Sequence, residues 1–96
     1  MRTIEEFMQD NDLELIDVVM KVGHIATNLE QSVQLYIRGS DDNELTEEEI
    51  DELIYSDDNI IDMMIQSSDN TLVDIAESFR DLQGTLHKRM CDAYGV

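Results

Sequence analysis

Fourteen carboxylates and not one lysine or arginine fall between Gly39 and Phe79: Asp41, Asp42, Glu44, Glu47, Glu48, Glu49, Asp51, Glu52, Asp57, Asp58, Asp62, Asp69, Asp74 and Glu77. Carboxylates at this density can ligate a divalent cation, move protons, or imitate the phosphates of a nucleic acid. The remaining residues hold the other nine acids and all six bases, so the stretch carries −14 and the remainder −3 of a formal net charge of −17. Folding does not ask for this. Like charges four apart in a helix (Glu44 with Glu48, Glu47 with Asp51, Glu48 with Glu52, Asp58 with Asp62) each cost roughly 0.2–0.5 kcal/mol. Only part is recovered where Glu47, Glu48 and Glu49 sit at the positive end of a helix dipole.

Metal chemistry is the first possibility. The segment from Ser40 to Ile50 (SDDNELTEEEI) resembles the later part of an EF-hand calcium loop, with Leu45 and Glu49 at its eighth and twelfth positions. That register puts Arg38 first and Asn43 sixth, where the family has an Asp ligand and a Gly turn; a helix cap is the simpler expectation. Glu48, Glu49 and Glu52 are similar to the Glu-Glu-x-x-Glu half of the magnesium site of all-α nucleotide pyrophosphohydrolases, whose second half is Glu-x-x-Asp. Here Glu77 and Asp81 are four apart, and Asp74 with Glu77 reverses the order. No metal or other cofactor is expected.

Nucleophilic catalysis is not expected either. His24 and His87 follow helical spacing without a paired Ser or Cys motif, and Cys91 has no companion cysteine, so a small buried hydrophobe is its expected role. One cysteine allows no internal disulfide, and Met1 to Glu6 lack the apolar segment of a secretory signal, which predicts a reducing cytoplasm. No uncharged apolar run approaches the roughly 18–20 residues that span a bilayer, and anionic headgroups would repel the acidic surface.

The elements that must position the acids are helical. Proline is absent, glycine occurs four times, and the apolar residues are mostly Ile, Leu, Val and Met, which removes the turn punctuation of a sheet protein. Thr3 and Glu6 form a capping box for a short helix ending near Asp10, and Asn11 or Asp12 is expected to cap the next. Leu15, Val18, Val22, Ile25, Leu29, Val33 and Tyr36 predict a helix of about 25 residues stopped by Gly39. A second row (Leu13, Ile16, Val19, Met20, Ala26, Leu35, Ile37) makes its stripe wide, so this helix is expected to be central or shared across a homodimer. Gly23 within it suggests close backbone approach or a bend.

Thr46 and Glu49 repeat the capping box before Ile50, Leu53 and Ile54. Ser56 to Asn59 should cap a fourth helix, and Leu72, Ile75, Ala76, Phe79, Leu82, Leu86 and Met90 form one face of a last helix running to about Ala93. The expectation is one acidic all-α domain over residues 1–96, an irregular bundle of four to five helices.

On such a scaffold the acids predict a non-catalytic inhibitor. Asp41, Asp42, Glu44, Glu48, Asp51, Glu52, Asp57, Asp58 and Asp62 would form a face imitating the charge density of duplex DNA and block the groove of a basic, nucleic-acid-binding protein. In size and charge the chain resembles the small acidic helical inhibitors of restriction, CRISPR or repair nucleases encoded by phages and mobile elements. Direct nucleic-acid binding is disfavoured by the same charge. The alternative is an interaction adaptor or regulator working through an apolar groove or homodimer seam, with the methionines adapting to the partner.

Overall fold

The computed structural model describes residues 3–42, 44–56 and 58–96. These residues form five helices, α1 (Ile4–Asp10), α2 (Leu15–Arg38), α3 (Glu47–Ile54), α4 (Asp58–Ile65) and α5 (Asn70–Tyr94), and no strand. The chain is the small all-α bundle that its periodicity predicts.

Local chemistry sets most of the helix starts. Thr3 Oγ1 accepts from the Glu6 N–H at 3.1 Å. At α3 the Glu49 N–H donates to Thr46 Oγ1 at 3.2 Å, and the Glu49 carboxylate accepts from the Thr46 N–H at 3.3 Å. Asp69 caps α5 by accepting from the Thr71 N–H at 2.8 Å.

The start of α2 departs from expectation. Asn11 and Asp12 do not cap it because they are occupied in closing α1. The Asn11 side-chain amide donates to Phe7 O at 2.8 Å, and Asp12 adopts φ 54°, which brings the Leu13 N–H to Met8 O at 2.8 Å. Aspartate tolerates this left-handed conformation better than most side chains. The cap is instead Glu14, whose N–H donates to the Asp17 carboxylate at 2.9 Å.

Packing reveals the topology. Val18 and Val22 of α2 share an apolar cluster with Leu72, Ala76 and Phe79 of α5, whereas Val33 shares a second one with Leu86 and Met90. At the far end the Tyr94 hydroxyl donates to Tyr36 O at 2.7 Å. The two long helices are therefore parallel, which requires a return path. α3 and α4 supply it, Ile50 and Ile54 packing on the C-terminal half of α5 and Ile60, Ile61 and Met64 on its N-terminal half. α1 closes the N-terminal end against α4. The result is a rod of 45 × 20 × 20 Å.

The central helix is α5, not α2. Leu72, Phe79 and Leu86 recur every seven residues, as do Ala76, Gln83 and Met90, and all six are buried. α2 buries only Val18, Val22 and Val33, and leaves Ile16 and Met20 58% and 55% exposed. A Cβ built at Gly23 meets nothing within 4 Å, so the close approach expected there does not occur within one copy of the chain.

Gln83 is fully buried in the seam, and its Nε2 donates to Ile54 O at 3.1 Å. Ile54 is the last residue of α3, and helix-terminal carbonyls lack an intrahelical donor. The glutamine thus satisfies the break between α3 and α4 from the adjacent helix.

A second tie joins α1 to the α4–α5 connection, where Ser67 Oγ donates to the Glu5 carboxylate at 2.8 Å. That hydrogen bond is the largest cause lowering the Glu5 pKa below its ordinary value. A carboxyl lowered on folding adds stability above its unfolded pKa and loses it as pH falls through the folded one. In Ser67→Ala the Glu5 resonance, followed by NMR from pH 2 to 7, is expected to titrate at higher pH than in the parent chain. An unchanged midpoint would refute this tie. Among the described residues no helix is long and apolar enough to cross a membrane.

Candidate acidic interface

α3 is held from beneath and left bare above. Ile50 and Ile54 are buried, Gln83 grips the helix end, and His87 of α5 pairs with Asp51. Glu48 and Glu52, one turn apart, point away from that buried side, and both are exposed. Asp41 and Asp42, in the turn after α2, and Glu44, before the Thr46 cap, are exposed as well.

The other expected site residues divide. Asp62 is half-buried and paired with Arg80, and Asp51 is engaged by His87, so neither is an isolated charge. Asp58 begins α4, its side chain lying outside the described residues, as does Asp57 entirely. Because Glu44 precedes α3, the like-charge pairs within helices reduce to Glu47–Asp51, Glu48–Glu52 and Asp58–Asp62. Both partners come from α5, a long-range placement that sequence spacing does not reveal.

Two recesses break up the acidic surface. One, about 1000 Å³, lies between the α2–α3 connection and the end of α5, with Asp41, Asp42, Glu44, Glu47 and Glu49 in its wall. The other, about 400 Å³, has Tyr36, Leu45 and Leu53 beside Glu49 and Glu52. An apolar wall with a carboxylate rim suits a lysine or arginine, whose stem is apolar and head charged. Glu47 and Glu49 were not among the expected contact residues. Their place in the first turn of α3 was legible, but their recess depends on how the connection folds back.

The structure also assembles a group that spacing did not suggest. His87 pairs with Asp51, and Cys91 Sγ, one turn further along α5, lies 3.8 Å from His87 Nδ1. Cys91 is half-buried rather than a sealed core residue. Burial raises its thiol pKa above the ordinary value, and Glu47, Asp51 and Asp92 raise it further. A thiol that resists deprotonation is a poor nucleophile, so this contact does not make an activated cysteine. Among the described residues no three His, Cys, Asp or Glu side chains converge so as to hold a metal ion. The Glu49 carboxylate, at the twelfth position of the EF-hand-like register, is turned onto Thr46 as part of the cap.

No protein-family model, curated protein or solved structure matches this chain. Charge and geometry alone carry the functional reading.

Proposed function

We propose that the chain is a non-catalytic binding protein that sets its acidic face, built on α3 and the α2–α3 connection, into the basic groove of a nucleic-acid-handling protein and so excludes the nucleic acid. The observation that carries this reading is the attachment of α3. The helix buries Ile50 and Ile54 and is held by Gln83 and His87, while Asp41, Asp42, Glu44, Glu48 and Glu52 remain exposed. Anions on a fixed support compete for a cationic groove better than anions on a loose tether, because less ordering entropy is lost on binding. The two recesses add places for individual basic side chains, and the long-range field speeds encounter with a positively charged partner.

The test is affinity capture from the host of origin at low and high salt, followed by displacement of labelled duplex DNA from each captured protein. The expected result is a basic nucleic-acid-binding protein retained at about 0.05 M salt and lost at about 0.5 M. It should release its DNA when the acidic chain is added. Captured proteins that keep their DNA, or retention insensitive to salt, would contradict the proposal.

A further inference from the structure

A shallow groove of about 390 Å³ lies between α2 and α5, and among the described residues it is lined by these two helices alone. Val19, Val22 and Ala26 face Ile75, Phe79 and Leu82 across it. Ile16, one turn before Val19, and Met20, one turn before Gly23 of the lining, are more than half exposed and extend the apolar wall of α2. Apolar surface along two neighbouring helices is the open side of a bundle. We infer that the groove docks an amphipathic helix of a second, basic protein, with the partner's apolar side chains on the floor and its lysines or arginines along the edges.

Charge selects this occupant. Asp74 is the one titratable side chain among the described residues of the lining. Asp81, which is exposed, stands three residues beyond Ser78 of the lining and seven beyond Asp74, on the same outer row of α5. On α2 the exposed Glu30 stands four residues beyond Ala26 and seven beyond Gly23, both of the lining. The stretches Leu15 to Glu30 and Asn70 to Thr85 hold only Lys21 and Arg80 as lysine or arginine, and both are engaged elsewhere. Lys21 Nζ lies 5.8 Å from the centre of the Phe7 ring of α1, and Arg80 pairs with Asp62 of α4. The floor is therefore apolar and the edges are anionic.

Other occupants fail on the same ground. A second copy packed groove to groove would set its own edge acids against these and add a second charge of −17. Nucleic acid and anionic lipid are repelled by the same field. A helix with apolar residues at i, i+4 and i+7 and bases beside them satisfies floor and edges together. Val19 to Ala26 and Ile75 to Leu82 each cover about 10 Å of helix, and Ile16 adds a turn, so a partner helix of roughly three turns fits. The inference does not rest on the acidic-face reading, because Glu30, Asp74 and Asp81 lie outside α3 and the α2–α3 connection.

NMR titration with a peptide of leucine and lysine, about 14 residues long and patterned as an amphipathic helix, tests the groove against a scrambled peptide of the same composition. The expected result is saturable binding with a Kd below about 0.1 mM and the largest amide shifts at Val19, Gly23, Ser78 and Leu82. The scrambled peptide keeps the charge and loses the apolar face, and should bind at least ~10-fold more weakly. Glu30→Lys, Asp74→Lys and Asp81→Lys combined, all at exposed positions, should leave the circular dichroism spectrum unchanged and weaken the amphipathic peptide at least ~10-fold. Glu48→Lys with Glu52→Lys should leave its affinity within about threefold, so the groove is tested separately from the acidic face. No saturable binding up to about 1 mM, equal affinity for both peptides, shifts centred on α3, or undiminished binding by the folded triple variant would each overturn the inference.

Discussion

Phe79→Ala is expected to lower stability by about 3–5 kcal/mol, the largest effect of any single truncation in this chain. Phe79 sits at the middle of the buried seven-residue rows of α5 and packs with Val18 and Val22 of α2 and with the α4 cluster of Ile60, Ile61 and Met64. The protein has only two phenylalanines and no tryptophan, and the other ring, Phe7, is only partly buried against the same cluster. A domain of this size has about 5–14 kcal/mol in total, and the loss is a large share of it. Urea unfolding followed by circular dichroism measures it. Leu35→Ala, at a residue 66% exposed, should change the same curve by less than about 0.5 kcal/mol. Equal effects at the two positions would mean that the helices do not pack around α5 as described.

Reversing Glu48 and Glu52 to lysine should weaken binding and leave stability nearly unchanged. The double variant replaces two exposed anions of α3 with cations, and a complex with a basic groove should weaken by at least ~100-fold. The fold should change by less than about 1 kcal/mol. In α3 the new lysines at 48 and 52 gain the acidic neighbours Asp51 and Glu49 three positions away, pairs that contribute roughly 0.2–0.5 kcal/mol each. Offsetting this, the two lysines repel each other four positions apart, and the first turn of α3 loses an anion that the helix dipole favours. Thermal melting and partner titration on one preparation read both quantities. Charge that serves only solubility gives no change in binding, and charge that serves the fold gives a loss of stability. Either outcome counts against the acidic face as a binding surface.

The sequence made some of this legible because the determinants are local. Thr3 with Glu6 and Thr46 with Glu49 mark helix starts within four residues, and the seven-residue spacing of Leu72, Phe79 and Leu86 marks the buried side of α5 without reference to any other element. What was hidden depends on partners far along the chain. Gln83 occupies a core position of α5, yet a polar residue at an apolar spacing gives no hint that a carbonyl 29 residues earlier will need it. The pairing of Asp62 with Arg80 and of Asp51 with His87 turns two residues of a uniform acidic run into tethers, leaving Glu48 and Glu52 as the freer charges.

The ranking of α2 and α5 was hidden for a different reason. Both carry long apolar stripes, and the wider one belongs to α2. Width signals the number of surfaces a helix can cover, not the number covered within one copy. α5 is central because α3 and α4 return along it, a fact of connection rather than composition. The α2 start was missed because asparagine and aspartate are better N-caps than glutamate in general, while here both were required to end α1.

The central claim is that the anions of α3 ride on a helix fixed to α5. Amide hydrogen exchange of the free protein near pH 7 tests it directly. The account predicts that the amides of Ile50 to Tyr55, which donate to carbonyls within or just beyond α3, exchange at least ~100-fold more slowly than an unstructured chain. Exchange there at the unstructured rate, with the amides of α5 still protected, would show the acids to be carried on a loose tether and would contradict the account.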